Sequence, residues 1–172
     1  HYRCAVASAK VGLPEVKLGL LPGAGGTQRV PRIAGVKAAL DMITGGNPVS
    51  ANKANAMGLV DEVVEGDDLL AGALNYAKGL VKSGAPLKRI RDITIDSSSV
   101  EADFFANARK QLARRARGQI AQDRIVSCLE AAVELPFDEG LDRERELFKE
   151  LVTSPESAAM RHIIFAGRQA AK

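Results

Sequence analysis

The stretch Val11-Gly12-Leu13-Pro14-Glu15-Val16-Lys17-Leu18-Gly19-Leu20-Leu21-Pro22-Gly23-Ala24-Gly25-Gly26-Thr27 decides how the rest of the chain reads. A single carboxylate, Glu15, stands there among apolar neighbours at a turn fixed by Pro14, and partial desolvation at such a turn suits a carboxyl group to acid/base work. A glutamate after proline also reads as an ordinary solvated turn residue, and the residues alone leave both readings open. Leu21-Pro22-Gly23 is a turn. The glycines that follow, placed ahead of a helical segment, can turn backbone N–H groups toward an anion. A tight turn that lets helices pack closely is the favoured reading. A dinucleotide loop is disfavoured, because Gln28 takes the place of the third glycine, and the lysine with Ser or Thr of a P-loop is missing.

Outward from this stretch, residues 3–8 read as a buried strand in which Cys4, Val6 and Ser8 alternate with Ala5 and Ala7, and residues 11–13 as a second short strand broken at Pro14. Short helical segments are expected over residues 28–33 and 36–43, closed by Gly45-Gly46. Ser50 is placed to cap a helix over residues 51–57, with Gly58 stopping it, before a β-branched strand over residues 59–64. Asp67 is expected to cap a helix running to about Lys82, whose Leu69, Leu70, Ala73, Leu74, Ala77, Leu80 and Val81 form one apolar stripe. After Gly84-Ala85-Pro86 and a basic stretch over residues 87–99, strand signals vanish. Four helices are expected, over residues 101–117, 120–134, 136 or 137 to about 153, and 155–169, the last capped by Ser154 ahead of Pro155. Phe137, Leu141, Phe148 and Leu151 recur at helical spacing, as do Met160, Ile163, Ile164 and Gly167, and both faces are expected to pack.

The 172 residues suit one domain, and 46 % apolar with 26 % charged residues is soluble globular composition. No uninterrupted apolar run of about eighteen residues occurs, and the start lacks the layout of a signal peptide, so a soluble intracellular protein without a membrane partner is expected. Cys4 and Cys128 lie in apolar neighbourhoods and read as small buried hydrophobes. A formal net charge of +3 with interleaved signs gives no footprint for nucleic acid and leaves room for an anionic small molecule. Arg109, Lys110, Arg114, Arg115 and Arg117, with Glu101 and Asp103 nearby, read as a solvated helix face. His1 and His162 have no partners at metal spacing, so no metal site is expected. The chain opens at His1, almost inside a strand, which reads as the removal of residues upstream.

As one stretch, Gly12-Leu13-Pro14-Glu15 leading to Pro22-Gly23-Ala24-Gly25-Gly26-Thr27 resembles the crotonase, or enoyl-CoA hydratase/isomerase, superfamily. The resemblance continues through Ile43-Thr44-Gly45, Ala54 with Gly58-Leu59-Val60-Asp61, and Val63-Val64, and is close over residues 1–82. Residues 104–172 resemble the part of multifunctional β-oxidation enzymes that joins a hydratase to a 3-hydroxyacyl-CoA dehydrogenase. Arg117-Gly118, Pro136-Phe137-Asp138-Glu139-Gly140-Leu141, Glu146-Leu147-Phe148 and Phe165-Ala166 with Arg168 carry that second likeness.

The resemblance implies an α/β fold: the C-terminal portion of a truncated crotonase-like ββα spiral over residues 1–86, then a helical region over 87–172 leading toward an absent dehydrogenase part. It implies hydration of 2-trans-enoyl-CoA with Δ3-Δ2 isomerisation, in which Glu15 matches the family's second glutamate and exchanges the proton at C2. Gly12, Leu13, Pro14, Leu21, Pro22 and Gly23 would shape the acyl pocket, and Arg168 and Lys172 would lie near the adenine and phosphates of CoA. The family's first glutamate and both oxyanion-hole segments would fall upstream of His1, so the chain alone is expected to be inactive and open to self-association through exposed apolar surface. No cofactor is expected in this chain: the CoA thioester is the substrate, and NAD belongs to the dehydrogenase part. The resemblance places the protein in the cytoplasm of a bacterium or the peroxisome of a eukaryote. Its rivals are other crotonase-type chemistry on acyl-CoA, such as thioester hydrolysis, dehalogenation or decarboxylation, a parent named by its dehydrogenase, and a non-catalytic helical interaction module.

Overall fold

A computed structural model describes residues 1–66, 68–116 and 118–170. Strand β1 (Cys4–Val6) turns back into β2 (Lys10–Val11), and a 3₁₀ turn over Glu15–Leu18 leads through the glycine turn into α1 (Gly26–Ala34) and α2 (Val36–Gly45). Then come β3 (Val49–Ser50), α3 (Ala51–Ala56), β4 (Glu62–Val64) and α4 (Leu69–Ser83). Two 3₁₀ turns, Ile90–Asp92 and Ser97–Ser99, occupy the basic stretch. Helices α5 (Phe104–Arg115), α6 (Ile120–Glu134), α7 (Phe137–Val152) and α8 (Pro155–Ala170) follow.

The sheets are small. β1 pairs in parallel with β4, Cys4 opposite Glu62 and Val6 opposite Val64, and β2 pairs antiparallel with β3, Lys10 opposite Ser50. A parallel pair needs a long crossover, and here β2, α1, α2, β3 and α3 make it. The strand expected over residues 59–64 begins only at Glu62. Gly58, at φ 75, reverses the chain, and the Leu59 and Val60 N–H groups bond back to the Ala54 carbonyl at 2.8 and 3.3 Å, so neither is free for a ladder.

Caps explain the helix starts. The Ser50 hydroxyl accepts from the Lys53 N–H at 3.3 Å, and the Ser154 hydroxyl from the Ser157 N–H at 3.1 Å. Asp68 caps α4 by accepting from the Ala71 N–H at 2.9 Å; the expected cap, Asp67, lies outside the described residues.

The core draws on both ends of the chain. Leu21 and Ile43 join Ile125, Leu129 and Leu151 in one buried cluster, and α6 rests on both α1 and α2. Two expected faces are not covered. α4 buries none of its residues, and its Leu70 and Val81 are 71 % and 83 % exposed. α8 touches the body through its first turns, where the Ser157 hydroxyl donates to the Leu18 carbonyl at 2.8 Å, and Ile163 farther on is 69 % exposed. The α7 face packs as expected, with Phe137 and Leu151 buried and Leu141 and Phe148 half-buried.

Candidate active site

Residues 11–27 run as a strand end, a 3₁₀ turn and a glycine turn. At Gly12 the chain passes so close to Pro48 that a Cβ would stand 2.8 Å from its Cα, which excludes any side chain. Half-buried Leu13 faces Gly26, and exposed Pro14 opens the 3₁₀ turn, its carbonyl accepting from the Lys17 N–H at 3.0 Å. Gly19, at φ 65, ends that turn, and the Leu20 N–H returns to the Glu15 carbonyl at 3.1 Å. The backbone around Glu15 is therefore tied on both sides. Its side chain is half-buried, and its Oε2 is shielded from water with no hydrogen-bond partner. A shielded carboxylate oxygen without a donor is costly, and Oε2 keeps its acceptor capacity unused.

Of the other residues expected around Glu15, Leu21 and Pro22 are fully buried in the core. Gly23 is exposed on one side and pressed on the other by the Phe148 ring, 2.7 Å from where a Cβ would stand. Gly12, Leu13 and Pro14 thus flank Glu15 directly in the chain, whereas Leu21, Pro22 and Gly23 fix the path between its turn and α1.

The glycine turn is a helix N-terminus, and its anion comes from the chain itself. The Glu144 carboxylate of α7, 1 % exposed, accepts from the Gly25 N–H at 2.6 Å, the Thr27 N–H at 3.0 Å and the Thr27 hydroxyl at 2.5 Å. Burial raises the Glu144 carboxyl above its ordinary range, against the opposing pull of those donors. Beside it, the Gln28 amide donates to the Cys128 carbonyl at 2.9 Å, and Gly140 lies so near that a Cβ would come within 2.1 Å of Gln28 Oε1. Of the two uses of these glycines, the structure realises close helix packing.

Arg168 stands exposed on α8, its guanidinium 6.0 Å from the Phe165 ring centre. It lies eleven residues beyond Ser157, roughly 16 Å along the helix from where α8 touches the body. Lys172 and Arg117 lie outside the described residues. Arg109 does not belong to a solvated face: α6 holds it through Asp123 at 2.9 Å and through both oxygens of Glu130. The sequence missed this pairing because the partners sit 14 and 21 residues away. Among the described residues no group of His, Cys, Asp and Glu is arranged to hold a metal ion, and Cys4 and Cys128 are free thiols. Burial pushes the Cys128 thiol up to about 12, the state of an inert small hydrophobe.

Glu144 is the buried partner of the glycine turn that sequence reasoning passed over. It sits inside the charged run Asp142-Arg143-Glu144-Arg145-Glu146. The signal was in the spacing: the buried positions of α7 are Phe137, Gly140, Glu144, Leu147 and Leu151, steps of three and four that put the glutamate in the middle of the apolar stripe.

The enoyl-CoA hydratase/isomerase family model matches residues 1–102. The whole chain aligns with the peroxisomal bifunctional enzymes of Homo sapiens, at 40 % identity, and Danio rerio, at 41 %, and spans 24 % of the human protein's length. Among solved structures, a carnitinyl-CoA hydratase from Mycobacterium avium superimposes with a TM-score of 0.60 at 27 % identity, over 97 % of this chain and 52 % of that one. A carnitinyl-CoA dehydratase from Mycobacterium avium 104 gives 0.56 at 26 %, over 91 % and 49 %. With a family model covering more than half of its residues, the chain belongs to the enoyl-CoA hydratase/isomerase family, within the crotonase superfamily.

Proposed function

We propose that the chain supplies the C2 proton-transferring carboxyl group, Glu15, to a crotonase-type site that hydrates 2-trans-enoyl-CoA in fatty acid β-oxidation. The observation that carries this reading is the shielded, unpartnered Glu15 Oε2 at a turn whose backbone is tied on both sides. A proton α to a thioester is too weakly acidic to leave unaided, so the reaction needs donors aimed at the developing enolate oxygen and a carboxyl group to carry the proton. Glu15 suits the second task. The first needs free backbone N–H groups, and those of Gly25 and Thr27 are engaged by Glu144.

On this reading the 172-residue chain does not by itself turn over an enoyl-CoA, and the oxyanion donors and the water-activating carboxyl belong to sequence that its longer relatives carry. Gly12, Leu13 and Pro14 border the acyl group, and Arg168 meets CoA phosphates. No cofactor is needed for the hydration step, and the compartment is the bacterial cytoplasm or, for a eukaryotic source, the peroxisome for which the longer relatives are named.

The test compares the chain alone with a chimaera in which residues 1–172 replace the aligned segment of the human peroxisomal bifunctional enzyme. Hydration of crotonyl-CoA is expected in the chimaera and not in the chain. Turnover by the chain alone contradicts the division of the site, and a folded but inactive chimaera contradicts the reaction.

A further inference from the structure

A cleft of about 570 Å³ opens between α1, residues 88–91 and the first turn of α7, and Glu15 does not line it. Arg29, Lys88, Arg89 and Arg91 line it against one carboxylate, Asp138, in a chain whose formal net charge is only +3. Asp138 pairs with Arg91, and Lys88 pairs with Asp61. Among the described residues, Arg29 and Arg89 form no ion pair with a carboxylate. Arg29 folds back over Gly25 to donate to the Ala24 carbonyl at 2.7 Å.

Phe137 gathers the charge further. The guanidinium carbons of Arg29, Arg32 and Arg91 lie 5.4, 5.1 and 5.9 Å from its ring centre. Arg32 is only 8 % exposed, and its contacts are all neutral: the Gln28 carbonyl at 2.8 Å, Gln28 Oε1 at 3.3 Å and the Leu135 carbonyl at 3.4 Å, with Nε unpartnered. An aromatic face offsets part of the cost of holding cations together. The remainder is repulsion among cations gathered beside Arg32, a buried guanidinium with no counter-charge.

We propose that this cleft binds a small molecule through a diphosphate group. Guanidinium forks match phosphoryl oxygens two at a time, and the three arginines that line the cleft provide them. Ile90, Phe137 and Leu141 form an apolar wall for the organic part of the ligand. The helix N-terminus beside the cleft is not the anchor, since Glu144 already fills it. The inference goes beyond the Glu15 reading and does not depend on it.

Isothermal titration of the chain with inorganic phosphate, inorganic pyrophosphate, ADP and CoA tests the site. Saturable binding of pyrophosphate and ADP is expected, about tenfold or more tighter than phosphate. Arg89→Ala and Arg29→Lys should each weaken it about tenfold, with the fold checked by thermal melting, and Lys53→Ala, at an exposed position on α3 outside the cleft, should leave it unchanged. Binding of pyrophosphate and ADP but not CoA assigns the site to a free diphosphate or nucleotide. CoA binding as tight as ADP and lost with Arg89→Ala assigns it to the diphosphate of CoA. Absence of saturable pyrophosphate binding, or binding unaffected by both Arg29→Lys and Arg89→Ala, overturns the proposal. Neither variant touches Glu15, so this result and hydration by the chimaera stand or fall separately.

Discussion

Asp61 has a side chain only 3 % exposed, yet it is the meeting point of Lys88, the Arg3 N–H at 2.9 Å and the Arg3 guanidinium at 3.3 Å. Burial pushes its carboxyl up, but the hydrogen bonds from Lys88 and Arg3, with the charges of both, outweigh that and hold it below the ordinary 3.8. A carboxyl lowered by folding adds stability that is present above its unfolded value and is lost as pH falls through the folded one. Urea unfolding of Asp61→Asn is therefore expected to show a loss of about 1.5–3 kcal/mol at neutral pH, and the difference from the unsubstituted chain should shrink below about pH 4. A difference that stays constant down to pH 2 contradicts the ion-paired role. Glu15 and Glu144 show what sequence reveals at this scale. Glu15 stands out in the sequence because proline and glycine fix a turn around the one carboxylate of residues 11–27. The partnership of Glu144 with Gly25 and Thr27 was not, because it spans 119 and 117 residues.

Between elements, α1 and α7 are joined by a carboxylate rather than by apolar contact alone. Glu144→Ala would leave the Gly25 and Thr27 N–H groups and the Thr27 hydroxyl without their acceptor, each loss carrying a penalty of about 1–3 kcal/mol. Denaturant unfolding is expected to show a drop of roughly 3 kcal/mol or more, and amide hydrogen exchange at Gly25 and Thr27 should accelerate; protection unchanged at both contradicts the assignment. Gly140→Ala tests the same contact by crowding, since the new methyl must displace the Gln28 amide, and about 1–3 kcal/mol of destabilisation is expected in the same unfolding measurement. Helices were the legible elements because their starts are written locally, in Ser50 and in Ser154 with Pro155. Strands of two or three residues carry no periodicity long enough to set their limits, and the β1 pairing with β4 joins residues 58 apart.

Across the molecule, the second half is not an appendage to the first: Ile125, Leu129 and Leu151 complete the core that Leu21 and Ile43 begin. One cooperative unfolding transition is expected by calorimetry, and two separated transitions contradict a shared core. The packing of one half on the other was invisible in the sequence, which gives the apolar stripes but not their partners. The stripe of α4 shows the same limit from the other side, since its spacing is helical and its Leu70 and Val81 face solvent. Exposed apolar surface of this kind favours association, so sedimentation of the chain alone is expected to show concentration-dependent oligomers. Leu70→Glu with Val81→Glu should shift them toward monomer; unchanged association assigns it to another face. The catalytic assignment is tested most directly by following crotonyl-CoA hydration in D2O by the chimaera, with and without Glu15→Gln. The expected result is deuterium at C2 of the product and a rate lowered about 10²–10⁴-fold by Glu15→Gln in a protein with unchanged thermal stability. A Glu15→Gln protein that hydrates at the unsubstituted rate contradicts the assignment of proton transfer to Glu15.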